Sequence, residues 1–157
     1  MKAFKFVRRE EKPDGTIVMR SMTICLGDPG CTLYAIGYPS VPPPNCGPLT
    51  AFKNIQSLLD FMIGIYWPEK DRILEVEAQI WTSHNPEMRQ MATLWRVLPR
   101  SRKTETRTLY SLPQGTLLCS SVTPIKDITE EVMKQYPHAF RFPVTTQHDD
   151  SMKGGKL

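Results

Sequence analysis

The sequence predicts an α+β fold, a mostly antiparallel sheet with one principal helix packed on it and a short C-terminal helix. Two observations carry this expectation. The run Asp71-Arg72-Ile73-Leu74-Glu75-Val76-Glu77-Ala78-Gln79-Ile80-Trp81 alternates, with Leu74, Val76, Ala78 and Ile80 on one face and Ile73, Glu75, Glu77 and Gln79 on the other. Period-two alternation is the pattern of a strand with one buried and one wet face. Just before it, Ile55, Leu58, Leu59, Met62 and Ile63 recur at helical spacing behind Asn54, a good N-cap, and Pro68 is placed to stop the helix near Tyr66.

The remaining elements follow in order. Ala3 to Val7 reads as a short first strand closed by the charged Arg8-Arg9-Glu10-Glu11-Lys12. The turn Pro13-Asp14-Gly15 then leads into a second strand from Thr16 to Leu26, an N-terminal hairpin. Thr32 to Ile36 is a third short strand. Between Gly37 and Pro48, five prolines and two glycines remove donors and fix φ, which predicts an irregular loop wrapped over a surface. Asn85-Pro86 opens a short helix through Leu94, and the basic segment after it reads as an excursion of low order. Pro113-Gln114-Gly115 turns the chain into strand structure from Thr116 to Ile128. Asp127-Ile128-Thr129-Glu130 fits a capping box for a helix ending at Tyr136 before Pro137. Residues 1–144 form a single domain in this reading, and the polar, glycine-containing stretch 145–157 a flexible tail.

A chain of 157 residues buries enough surface to need no staples. It has no apolar run of the ~18 residues that a membrane helix needs, so a soluble, cytoplasmic protein with no membrane contact is the expectation. The cysteines at 25, 31, 46 and 119 lack C-x-x-C spacing and no histidine lies close to any pair, so no metal site is expected. They read as reduced thiols, with a Cys31–Cys46 disulfide as the lesser alternative. His84, His138 and His148 are scattered, and none of the common nucleophile, zinc or phosphate-loop motifs is present.

Charge is localised. Between Arg89 and Arg107, Arg89, Arg96, Arg100, Arg102, Lys103 and Arg107 face a single acid, Glu105; this leaves the segment at +5 within a chain of net +4, and the remainder at −1. Trp95 and Tyr110 add aromatic surface, a combination suited to an acidic protein, a nucleoprotein or nucleic acid. These eight residues, with Glu105 set apart, are the candidate binding set, and a solvated loop is the competing account. The acidic pair Glu75 and Glu77 stands about 7 Å apart on one strand face, close enough to share a ligand, although a wet strand face needs no more than such an alternation.

Lys2-Ala3-Phe4-Lys5-Phe6-Val7, Gly47-Pro48-Leu49-Thr50-Ala51-Phe52 before a helix, Leu74-Glu75-Val76-Glu77, and Pro113-Gln114-Gly115-Thr116-Leu117-Leu118 together resemble small uncharacterised proteins common in phage genomes. The likeness covers roughly two thirds of the chain. It implies an accessory protein that binds a host macromolecule stoichiometrically, with inhibition of a host defence system as one such role, and with no cofactor. The same order of elements is also similar to the second half of ADP-ribosyltransferase-like domains, whose arginine, serine motif and Glu-x-Glu are matched in order by Arg8 or Arg9, Ser21-Met22-Thr23 and Glu75-Val76-Glu77. That resemblance implies NAD as cofactor and Arg8, Glu75 and Glu77 as the catalytic set. The middle motif departs from the family's Ser-x-Ser, and here Glu-x-Glu lies inside a strand, so binding is placed first and catalysis second. Oligomeric state and partner identity stay open.

Overall fold

The computed structural model describes residues 1–22, 29–82, 93–97, 103–108 and 111–140, the strands at 93–97 and 104–108 by backbone alone. Among them the chain runs β1 (Lys2–Glu11), β2 (Ile17–Ser21), β3 (Leu33–Tyr34), β4 (Leu49–Phe52), α1 (Ile55–Met62), β5 (Asp71–Ile80), β6 (Thr93–Val97), β7 (Thr104–Thr108), β8 (Thr116–Asp127) and α2 (Thr129–Gln135), then a 3-10 turn, Pro137–Phe140. The architecture is mostly antiparallel β, and its centre is a closed barrel of β1, β4, β8 and β5. No helix among the described residues is long and apolar enough to cross a membrane.

Closure depends on two long strands that each serve two neighbours along one edge. β1 pairs with β5 over seven rungs, from Lys2 opposite Glu77 to Arg8 opposite Asp71. Its other edge meets β4 at a single rung, Phe4 opposite Phe52, and then β2 from Val7 opposite Ser21 to Glu11 opposite Ile17. β8 meets β4 from Thr116 to Cys119 and β5 from Cys119 to Asp127. Beyond β4 its free edge is taken by the proline-rich loop, where Ser40 bridges Val122 and the Gly37 N–H donates to the Pro124 carbonyl at 2.7 Å. Thus the loop expected to wrap a surface completes a sheet edge, which satisfies backbone groups that would otherwise be orphaned.

Alternation along β1 and β5 then decides what lies inside. Ala3 and Val7, with Leu74, Val76, Ala78, Leu49, Ala51, Cys119, Val122 and Tyr34, fill the interior. Lys5 falls on this inward face and is only 8% exposed. Its ammonium donates to the Thr50 carbonyl and to Thr50 Oγ1 at 3.3 Å, and stands 5.2 Å from the centre of the Tyr34 ring. The stem packs as an apolar chain while the head bonds β1 to β4, where the backbone ladder has only one rung.

The opposite face of β1 and β5 is also covered at one end. Phe6 and Ile73 pack beneath Leu58, Leu59 and Met62 of α1 and beside Ile128 and Val132 at α2. Ile73 is therefore buried although alternation assigned it to the wet face. Two short helices, of eight and seven residues, share the outside of the barrel at this end. α1 starts as its sequence dictates, with the Asn54 side chain accepting from the Ser57 N–H at 2.9 Å. It ends at Met62 rather than near Tyr66, because Gly64 adopts φ +83° and turns the chain, a left-handed exit that glycine makes without steric cost.

Other expectations are corrected. β1 does not close at Val7 but continues through Arg8–Arg9–Glu10–Glu11, since β2 extends its ladder. Ile80 is 40% exposed rather than buried, because a register shift between Gln79 and Ile80 carries it past the packed interior. Leu94 lies in a strand, not in a helix, and the supposed low-order excursion contains the antiparallel ribbon β6–β7. At α2, Asp127 supplies the side-chain acceptor as expected, but the N-cap is Ile128, and Asp127 takes the Thr129 N–H at 3.0 Å and the Thr129 hydroxyl at 2.6 Å instead of forming a capping box. The tail expected at 145–157, most of the helix expected from Asn85, and Cys25 lie outside the described residues.

Two substitutions check this architecture by urea denaturation. Leu74→Ala should cost about 2–5 kcal/mol through lost burial and a residual cavity. Gly115 sits at φ +81°, and a Cβ there would meet Ser57 Cβ at 2.6 Å, so Gly115→Ala should cost about 1–3 kcal/mol from strain and overpacking against α1.

Candidate functional site

The acidic pair is the natural starting point. Glu75 and Glu77 share the outer face of β5, opposite Phe4 and Lys2 of β1. Lys2 Nζ lies 2.9 Å from Glu75 Oε2, and Glu77 faces the amino group of Met1. Arg8 is on the same face but is not brought to them. The rung formed by Phe6 and Ile73, buried under the helices, intervenes, and four residues of strand rise place Asp71, its partner, about 13 Å from Glu75.

At its own position Arg8 has a structural task. Asp71 is fully buried and receives Arg8 Nε at 2.7 Å, Arg8 Nη2 at 3.0 Å and the Trp67 N–H at 2.7 Å. The guanidinium also sits 5.3 Å from the Trp67 ring, with Lys70 Nζ at 4.2 Å. This bidentate pair fixes the turn entering β5. Ser21, the first residue of the supposed serine motif, accepts the Thr32 N–H at 3.2 Å and so ties β2 to the segment before β3; Thr23 lies outside the described residues. Arg8 thus stands apart from Glu75 and Glu77, which share the other end of the same face of β5.

Of the basic set, Lys103 is exposed. The β6–β7 register places Trp95 opposite Thr106, Arg96 opposite Glu105 and Arg107 opposite Leu94. Arg89, Arg100, Arg102 and Tyr110 lie outside the described residues. The ribbon gives this charge a regular backbone. Its β7 half, Thr104-Glu105-Thr106-Arg107-Thr108, carries a β-branched residue at every second position, a strand signal that the surrounding charge obscured.

A second surface, absent from any motif, opens at one end of the barrel. β1, β2 and β3, the 35–40 loop and the ends of β5 and β8 line a cavity of about 620 Å³ that is open to solvent. Ile17, Met19, Leu33, Tyr34, Ile36 and Tyr38 supply its apolar wall, and Arg9, Arg72 and Asp127 its polar end. Arg72 Nε donates to Asp127 Oδ2 at 2.7 Å, and Arg72 Nη1 stands 3.7 Å from Glu130 Oε1. Burial alone would raise the Asp127 pKa, but hydrogen bonds from Arg72 and Thr129 outweigh it and hold the carboxyl below its ordinary value of 3.8. The available sequence signal was the apolar group Leu33, Ile36 and Tyr38 at the end of a short strand and in the turn-rich loop after it, all three exposed.

No group of three or more histidine, cysteine or acidic side chains could hold a metal among the described residues. Cys46 is a free, half-buried thiol, so it forms no disulfide with Cys31. Burial pushes the Cys119 thiol pKa up. His138 lies in the 3-10 turn, while His84 and His148 are outside the described residues.

Asp71→Asn should cost about 3–5 kcal/mol in urea denaturation, because it leaves the Arg8 charge without its buried counterpart. Asp127 provides a pH test. Its folded pKa is depressed, so its contribution is present above the unfolded value and lost as pH falls through the folded one. The stability gap between the parent and Asp127→Asn should stay level above about pH 5 and close as pH drops below 3.8. Comparison with protein-family models, curated proteins and solved structures finds no match to the chain.

Proposed function

We propose that the protein acts by stoichiometric binding of a macromolecule with an acidic surface, as a small phage-type accessory protein that interferes with a host factor. The observation that supports this most directly is the antiparallel ribbon within the basic segment, Arg96 and Arg107 on its strands and exposed Lys103 at the start of β7. A two-stranded ribbon carries cationic groups on a backbone already ordered, which lowers the entropy lost on docking. Guanidinium groups suit planar carboxylates and phosphates. The occupant in this reading is a host protein or nucleoprotein, and the acidic pair on β5 serves solubility and strand pairing.

Affinity capture from host lysate followed by calorimetry tests the reading. Reversing Arg100, Arg102 and Lys103 to Glu should abolish capture while leaving stability within about 1 kcal/mol. Binding of the captured partner by the parent should weaken steeply as salt rises. Glu77→Gln should keep full biological effect. Full effect at far below one molecule per target, lost together with NAD cleavage in Glu77→Gln, would make the enzyme reading primary.

A further inference from the structure

We propose that the cavity at the barrel end is a binding site for a small amphipathic carboxylate, an aliphatic or aromatic chain carrying one anionic head. The proposal is independent of the basic ribbon. Its volume of about 620 Å³ lies within the roughly 300–1,000 Å³ of small-molecule sites, which recur in the mouths of β-barrels. Its apolar residues are also left open to water: Ile17 is 51% exposed, Leu33 44%, Ile36 44% and Tyr38 71%. Clustered exposure of that kind, around one concavity rather than scattered, marks a surface that a ligand covers.

The head-group chemistry follows from the charges that face the cavity. Arg72 is held by Asp127 and approached by Glu130, and Asp127, further bonded by Thr129, stays ionised and neutralised. Glu11 is on the Arg9 side of β1, but its Oε1 is turned towards the hairpin at Gly15, 3.9 Å from where a Cβ would stand. Arg9, on the cavity wall and opposite Met19, makes no side-chain hydrogen bond or ion pair among the described residues. A guanidinium with its donors unspent beside an apolar wall is complementary to a carboxylate, which it can hold through two parallel hydrogen bonds. The chain of the ligand then lies along Ile17, Met19 and Ile36.

Titration of the full chain with decanoate, decylamine and decanol, followed by amide chemical shifts, decides the matter. Decanoate should saturate, move the resonances of Ile17, Met19, Leu33 and Ile36, and bind at least about tenfold more tightly than the amine or the alcohol. Arg9→Gln, a change at an exposed side chain, should weaken decanoate about tenfold and leave decanol unchanged. Ile36→Trp, which fills the wall, should weaken both. Equal affinity for all three probes, shifts confined to other surfaces, or no response to decanoate would overturn the proposal. A cavity that ignores decanoate yet responds to a peptide of alternating leucine and glutamate would assign it to a protein partner and overturn it equally.

Discussion

A lysine inside a barrel holds this fold closed. β1 and β4 share one backbone rung, Phe4 opposite Phe52, too little by itself to seal a cylinder whose other seams have four to seven. The Lys5 ammonium supplies what the ladder lacks by bonding the carbonyl and hydroxyl of Thr50 from within. Lys5 has no carboxylate partner among the described residues, so the cost of burying its charge is offset by these two oxygens and by the Tyr34 ring. Tyr34 thereby links the seam to β3, and the seam to the cavity that β3 lines.

The same geometry explains why one end of the molecule is open. With four strands the barrel interior has room only for side chains, and small residues such as Ala3, Ala51 and Ala78 permit its close walls. β1 and β8 run on past this packed section, and there β2, with β3 beside it, and the proline-rich loop replace β4 as the edge partners. The circuit becomes wider at that point. Arg72 and Asp127 close its floor as an ion pair, and Tyr34 and Met19 reach the core while Ile17 of β2 and Leu33 of β3 stay open to water. Narrow closure at one end and wide closure at the other produce a solid half and a hollow half from continuous strands.

Local pattern reached the elements and stopped at their assembly. The β5 alternation located Leu74, Val76 and Ala78 correctly, Asn54 capped α1, the turn at Pro13-Asp14-Gly15 joined β1 to β2, and Pro113-Gln114-Gly115 opened β8 as read. Which strand pairs with which is not written at any one position, so the return of β8 to both β4 and β5 was illegible. Lys5 was illegible for a related reason: in a sequence its charge argues for solvent, and only Thr50, 45 residues away, reverses that. Arg8 and Arg9 are adjacent and were nearly interchangeable on paper. Strand alternation sends one to buried Asp71 and the other to the cavity wall. Arg89, Arg100, Arg102 and Tyr110 lie outside the described residues, so the geometry bears on their segment only through the ribbon register.

The dual pairing of β8 also sets an order of events during synthesis. β1, β4 and β5 are made first and can associate only as an incomplete curved sheet, because the strand that seals them ends at Asp127. Until that residue has left the ribosome, β4 and β5 present unpaired edges and the inward face lies open to water. Nascent chains of this kind invite strand addition by neighbours. The lysine, charged and pointing into the unfinished cylinder, then acts as a gatekeeper: a dry association through that face would have to bury its ammonium with no more than the Thr50 oxygens to receive it. The group that secures the finished molecule thus discourages the unfinished one from aggregating.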